Sequence, residues 1–432
     1  MTRGVNMDLD NYELSFLKEL IAIRSVGSNP EPGCPYGINS RKALDFFLGK
    51  ASEEGFITGV IDDKAGFVEF GEGSRMIGIV CHLDIVPEGT GWDTDPFTLT
   101  VKNNIMYGRG IVDDKGPACA AFFAMRRLKN EGIIPSSKVR LILGTDEERT
   151  CDCVETYASK GEIPDFAVTP DAQFPAIFAE KGILHIRIYG SNDSDITAKA
   201  GNAANMVPNE AALTVNGKTF YGKGKTAHAS MPHLGINAIM DLISRLDDSV
   251  IGKSKLLEYI RDHISNKEAS FYTGVTINDI SGAVTANPAI LKIDGGCEEL
   301  IIDIRYPITS KMDDIVSYFA EVLDKYGLKV EVTSHMAPLF KDKDAAEIKT
   351  LTGIWSKYMS SYDGYKPEYA SAYTSPLAIG GGTYARHLPN TVAFGLTPPW
   401  QEDQCHQANE HMSVNDFVTS IKLLKETITT LS

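Results

Sequence analysis

Three short apolar runs, Met76–Val80, Val139–Leu143 and Phe166–Val168, constrain the fold of this chain more than any other feature. Runs of this length, rich in Val, Ile and Leu, read as strands buried on both faces, as in a parallel sheet. Helical spacing over Pro117–Asn130 lies between the first two runs, and similar spacing covers Leu14–Ile23 and Arg41–Glu54. Strand, crossover helix and strand in succession predict an α/β domain. In such domains reactive groups gather beyond the carboxyl ends of the strands. That is where this chain places its acids and histidines.

The first run leads into CHLDIVPEG, in which His82 and Asp84 stand two residues apart and so share a face if the backbone stays extended. GRGIVDDKG sets Asp113 and Asp114 before a helix start. GTDEE follows the second run with Asp146, Glu147 and Glu148, TPDAQFP follows the third with Asp171, and HQANEH supplies His406 after the strand-like TVAFG. An isolated H-x-D is more often a surface pair, and acidic loops are usually just solvated. Their repetition at successive strand ends is what carries the argument. Two imidazoles with several carboxylates suit zinc or manganese. Two ions about 3.5–4 Å apart need a bridging carboxylate, one imidazole each and one further carboxylate each. His82, Asp113, Glu148, Asp171 and His406 meet that requirement. Glu147 is then left over as a general base, and Asp84 is left to hold the His82 ring.

A net charge of −15 opposes nucleic acid or an anionic membrane as partner. Seven cysteines without framework spacing suit reduced thiols in a cytoplasm, and Cys151-Asp-Cys153 reads as two free thiols rather than a metal clip. The opening MTRGVNMDLDNYELSFLKEL reads as an amphipathic helix without a secretory apolar core, and no apolar run is long enough to span a membrane.

The character changes near residue 183. HIRIYG, AALTVNGKTF, TGVTINDISG and ELIIDIRYP read as alternating strands, interleaved with helices around Asn237–Leu246 and Met312–Tyr326. After residue 344 the α/β pattern returns with a helix, a glycine run and the strand TVAFG. The expected organisation is therefore a catalytic domain in two parts, 1–182 and 344–432, interrupted by an α+β domain at 183–343.

Taken in order, HLDIVPEGTGWDTDPF, GRGIVDDKGP, GTDEE, TPDAQFP, ANMVP, KTAHASMPHLGINAI, DIRYP and GGGTYARHLPN make the chain resemble the two-metal aminoacylase/carboxypeptidase G/dipeptidase family of metallopeptidases. The likeness is greatest to its bacterial Xaa-dipeptidase, carnosinase-like branch. The resemblance implies a zinc-peptidase-like catalytic domain, with a mixed, mostly parallel sheet between helices, and an inserted lid. It implies metal ligands His82, Asp113, Glu148, Asp171 and His406 with Asp113 bridging, Glu147 as base, Asp84 as companion acid and a cis Asp113–Asp114 peptide. In the lid it matches His228 to a histidine that supports the oxyanion, Arg305 to a substrate-carboxylate arginine and Asn205 to a polar substrate contact. Gly381, Gly382 and Thr383 match the loop that cradles the substrate's C-terminal end. His233 is the competing lid histidine, and an ion pair with Asp303 is the competing reading of Arg305. His411 reads as a surface residue, and Cys81 and Cys405 as small apolar side chains.

The function so implied is hydrolysis of dipeptides or very short peptides by two divalent ions, zinc first, with manganese or cobalt also suitable. Removal of an acyl group from an amino acid is the alternative, because its metal chemistry is identical. A non-catalytic relative is disfavoured by the intact ligand set. The long insertion resembles that of the monomeric branch, so a monomer is expected over a homodimer.

Overall fold

A computed structural model describes residues 8–432, and the chain divides into two compact units. The first comprises residues up to Phe178, Lys341–Leu377 and Thr383–Ser432; the second comprises Ala179–Phe340 and Ala378–Gly382. The first seven residues of the sequence, part of the amphipathic stretch read above, lie outside the described range.

The sheet of the first unit runs in the order Ile57–Ile61, Ala65–Phe70, Lys138–Gly144, Met76–His82, Phe166–Thr169 and Thr391–Ala393. Its centre is parallel, pairing Met76–His82 with both Lys138–Gly144 and Phe166–Thr169, and Phe166–Thr169 with Thr391–Ala393. The strands at 57–70 are antiparallel, so the sheet is mixed. The unbroken apolar runs now have a cause. Ile77, Ile79, Cys81, Val139, Leu141 and Leu143 enter one core, while Val80, Ile142 and Ala167 enter another on the opposite face. With side chains alternating across a sheet covered on both faces, neither set can be polar.

Helices Asn11–Ile21, Ile38–Glu53, Lys115–Asn130 and Val414–Leu431 build the larger core. Phe16 centres it, its ring 5.0, 5.3 and 5.6 Å from those of Phe47, Phe122 and Phe123. Asp10 starts the first helix with a capping box closed by Glu13. On the other face lie Asp152–Lys160 and the buried ring of Tyr384. Gly144, the last residue of its strand, makes room for that ring, since a Cβ there would lie 2.1 Å from the Tyr384 hydroxyl.

The second unit is an antiparallel seven-stranded sheet in the order Lys218–Lys223, Glu210–Val215, Thr197–Ala200, Thr285–Asp294, Cys297–Tyr306, Gly182–Ser191, Lys329–Met336. Its apolar face packs against helices that include Ala238–Ile243 and Met312–Asp324. AALTVNGKTF folds as a hairpin turning at Asn216-Gly217, which both have positive φ, the preference of a tight hairpin turn. One expected strand is not one. TGVTINDISG holds the end of the helix Ala269–Thr273, a left-handed Gly274 that closes it, and a two-residue bridge pair. The strand lies further on, at Thr285–Asp294, where Pro288 and an adjoining register shift interrupt the alternation that would have marked it. Among the described residues no helix is long and apolar enough to cross a membrane.

Candidate metal centre

Every residue expected to hold metal lies in the first unit. His82 is the last residue of its strand and is fully buried. Glu147 and Glu148 follow the strand that ends at Gly144, and Asp171 follows the strand that ends at Thr169. Asp113 precedes the helix Lys115–Asn130, and its peptide bond to Asp114 is cis. His406 occupies the loop between Leu396–Thr397 and His411–Ser413, with φ of +64°.

Two groups of potential ligand atoms form, each within 4.8 Å: His82, Asp113 and Asp171, and Asp113, Glu148 and His406. Asp113 belongs to both. Its Oδ1 lies 3.0 Å from His82 Nε2 and its Oδ2 lies 3.1 Å from His406 Nε2. Asp171 Oδ2 is 3.6 Å from the same His82 nitrogen, and Glu148 Oε2 is 3.0 Å from the same His406 nitrogen. A single carboxylate thus faces two imidazoles, one through each oxygen.

The electrostatics are those of a site short of positive charge. Burial works against ionisation of Asp113, yet His406 and His82 hold its carboxyl far below the usual range. Hydrogen bonds to Asp113 and Glu148 raise His406 to about 11. Burial, and then the charge of Asp113, pushes Asp171 and Glu148 upward. Desolvation likewise drives Glu147 well above an ordinary carboxyl. Glu148 Oε1 is buried with no hydrogen-bond partner among the described residues. Three carboxylates, one of them carrying that unpartnered oxygen, and two imidazoles make a donor set that fits divalent cations.

Asp84 aims His82 differently from the side-chain contact expected. The ring Nδ1 donates to the backbone carbonyl of Asp84 at 3.0 Å, and the carboxylate stands back at 3.5 Å. That carboxylate instead accepts the backbone N–H groups of Glu147 and Glu148, at 3.0 and 3.1 Å. Asp84 therefore positions the imidazole with its main chain and both glutamates with its side chain.

The residues expected to meet substrate fall otherwise. Asn205, His228, Arg305, Gly381 and Gly382 belong to the second unit, and Thr383 to the first. Arg305 is buried and donates Nε and Nη2 to the two oxygens of Asp303, at 2.6 and 2.7 Å, and Nη1 to the Gly380 carbonyl. Asp303 also meets His185 Nε2 at 3.0 Å. Thr383 caps a short turn by accepting the N–H of Ala385. His228 Nδ1 accepts the backbone N–H of Ser230 at 3.2 Å, so the neutral ring carries its proton on Nε2. Asn205 is exposed, and its carbonyl accepts the N–H of Ala229.

His411 lies tilted against the Tyr107 ring, bonds to the Asn409 carbonyl and joins neither ligand group. All seven cysteines are free, and Cys81 and Cys405 also stay outside both groups. Glu410, which the residue pattern did not mark, is fully buried behind Asp113. Nothing about one more acid in an acidic loop signals burial.

Residues 78–430 match the model of a family described as Peptidase family M20/M25/M40. YtjP of Bacillus subtilis (strain 168), designated a candidate dipeptidase, is 33% identical over 457 aligned positions covering 95% of each chain. A likewise designated relative from Staphylococcus epidermidis is 30% identical, covering 98% of this chain and 97% of its own. Among solved structures, human carnosine dipeptidase 1 superposes with a TM-score of 0.60 at 15% identity, covering 96% and 95% of the two chains. Aminopeptidase PepT from Bacillus cereus gives 0.62 at 16%, covering 98% and 99%.

Proposed function

The chain belongs to peptidase family M20/M25/M40, on its dipeptidase branch, and from that premise we propose that it hydrolyses dipeptides or very short peptides with two divalent ions and a glutamate base. The observation that carries this reading is the pair of ligand groups sharing Asp113. His82, Asp113 and Asp171 would hold one ion, and Asp113, Glu148 and His406 the other, with zinc the first choice and manganese or cobalt suitable. Ions so held would lend Lewis acidity to the attacking water and to the scissile carbonyl.

The chain's own groups do the rest. Glu147 takes the proton of the attacking water and returns it to the leaving amine, a role suited to its raised affinity for protons. Asp84 keeps Glu147 and Glu148 on their separate tasks by gripping both backbone N–H groups. His228, with its proton on Nε2, would donate to the oxyanion that forms on the carbonyl. Arg305 keeps two N–H groups beyond the three that bind Asp303 and Gly380. Those two would meet the substrate's C-terminal carboxylate, with Asn205 and the Gly381–Thr383 loop as further contacts. The seven free thiols suit a cytoplasmic enzyme, and the long insertion a monomer.

The test is a hydrolysis panel on zinc- or manganese-loaded protein: free dipeptides, the same dipeptides amidated at the C-terminus, and N-acetyl amino acids. The free dipeptides should be cleaved best, and preference for the N-acetyl compounds would establish the deacylase alternative instead. In Arg305→Ala the free acid should fall toward the level of the amide while the amide changes little, which isolates the arginine–carboxylate pair. Equal losses for acid and amide would assign Arg305 to its ion pair with Asp303 alone.

A further inference from the structure

We propose that Glu410 is a positioning residue for the metal centre, its carboxylate tying the loop that carries His406 to the loop that carries Asp113. The proposal rests on the two-ion reading above and deepens it. Glu410 is fully buried, and its Oε1 accepts the backbone N–H groups of Gly110, Val112 and Asp113 at 3.0, 2.8 and 3.2 Å. Its Oε2 accepts Arg109 Nη1 at 2.7 Å and shares the Gly110 N–H at 3.0 Å. Arg109 is itself buried, its guanidinium 5.2 Å from the Trp92 ring centre. One carboxylate therefore holds the backbone from 110 to 113, ending on Asp113, and the side chain of Arg109.

The other end of the tie is the chain four residues before Glu410. His406 and Asn409 both sit at positive φ in a loop without regular structure, and Asn409 accepts the Asp93 N–H at 2.8 Å. His82 ends one sheet strand and Asp171 lies just beyond another, so the sheet itself places them. Asp113 and His406 stand outside that sheet, and the Glu410 carboxylate bonds the segment of one to the segment of the other, beside the pairing of His411–Ser413 with Ile105–Tyr107. The group formed by Asp113, Glu148 and His406 should consequently depend on Glu410 more than the group that contains His82 and Asp171. A merely structural ion pair with Arg109 would make no such distinction between the two groups.

The experiment titrates metal-free protein with Co²⁺, following visible absorption and heat, and compares wild type with Glu410→Gln. The glutamine keeps the shape but turns an amide toward donors that now meet an oxygen. Wild type should show two steps, and His406→Ala identifies the step belonging to its group. Glu410→Gln should weaken that same step by roughly 10–100-fold, the range for partners one shell out from a metal, and weaken the other, which shares only Asp113 with it, by less. Should the glutamine variant fail to fold, Glu410→Asp, which draws the charge back by one methylene, is titrated in the same way. Two unchanged steps, or two steps weakened alike, would overturn the proposal. A single step in wild type would overturn the two-ion reading, and the proposal with it.

Discussion

Glu147→Gln should lose turnover by roughly 10²–10⁴-fold, the range that a positioned general acid–base contributes, while its metal content stays at the wild-type level. The two glutamates are adjacent in sequence, yet the structure gives them different surroundings. Glu148 Oε2 lies 3.0 Å from His406 Nε2, within a ligand group. Glu147 belongs to neither group, and desolvation raises its affinity for a proton. An amide in its place keeps the volume and removes only the proton acceptor. The loss should fall on kcat with little change in KM, because proton transfer matters in the transition state and not in binding. Glu148→Gln should behave in the opposite order, losing metal first and activity as a result. Turnover near wild type in Glu147→Gln would remove the residue from the mechanism.

Asp113→Ala should have the broadest effect of any single ligand change. Each of the other four residues belongs to one group, whereas Asp113 presents Oδ1 toward His82 and Oδ2 toward His406. Its removal strips a ligand from both groups and leaves Asp171 and Glu148 without a shared neighbour. Elemental analysis after dialysis should find both ions lost, with affinity reduced more than the roughly 10–100-fold of an outer partner. His406→Ala should spare the ion held with His82 and Asp171. Retention of one full equivalent in Asp113→Ala would mean that the carboxylate does not bridge.

Much of this arrangement is legible in the residues because burial and chemistry leave local marks. The strands at 76–82 and 138–144 are apolar on both faces, so their runs need no long-range information to be recognised. Of the five ligand-type side chains His82 ends such a strand and the other four stand in loops, and the structure gathers all five into two overlapping groups. What stays hidden is whatever depends on a distant partner. Pro288 breaks the pattern of a strand that its neighbours at 197–200 and 297–306 nevertheless complete, and the strand-like 273–282 loses its pairing to a helix end. Asp84 grips two backbone N–H groups more than sixty residues away, and no side-chain pattern announces that contact. Glu410 reads as one more surface acid until Gly110, Val112 and Asp113 surround it. Arg305 stands beside Asp303 in sequence terms that fit either an ion pair or a substrate clamp, and the structure shows the pair in place.

The most direct test of two ions sharing one carboxylate is an anomalous difference map from a crystal grown with zinc, recorded on either side of the zinc edge. It should show two peaks in each chain, one among His82, Asp113 and Asp171 and the other among Asp113, Glu148 and His406. A single peak, or two peaks of which either lies away from Asp113, would contradict it.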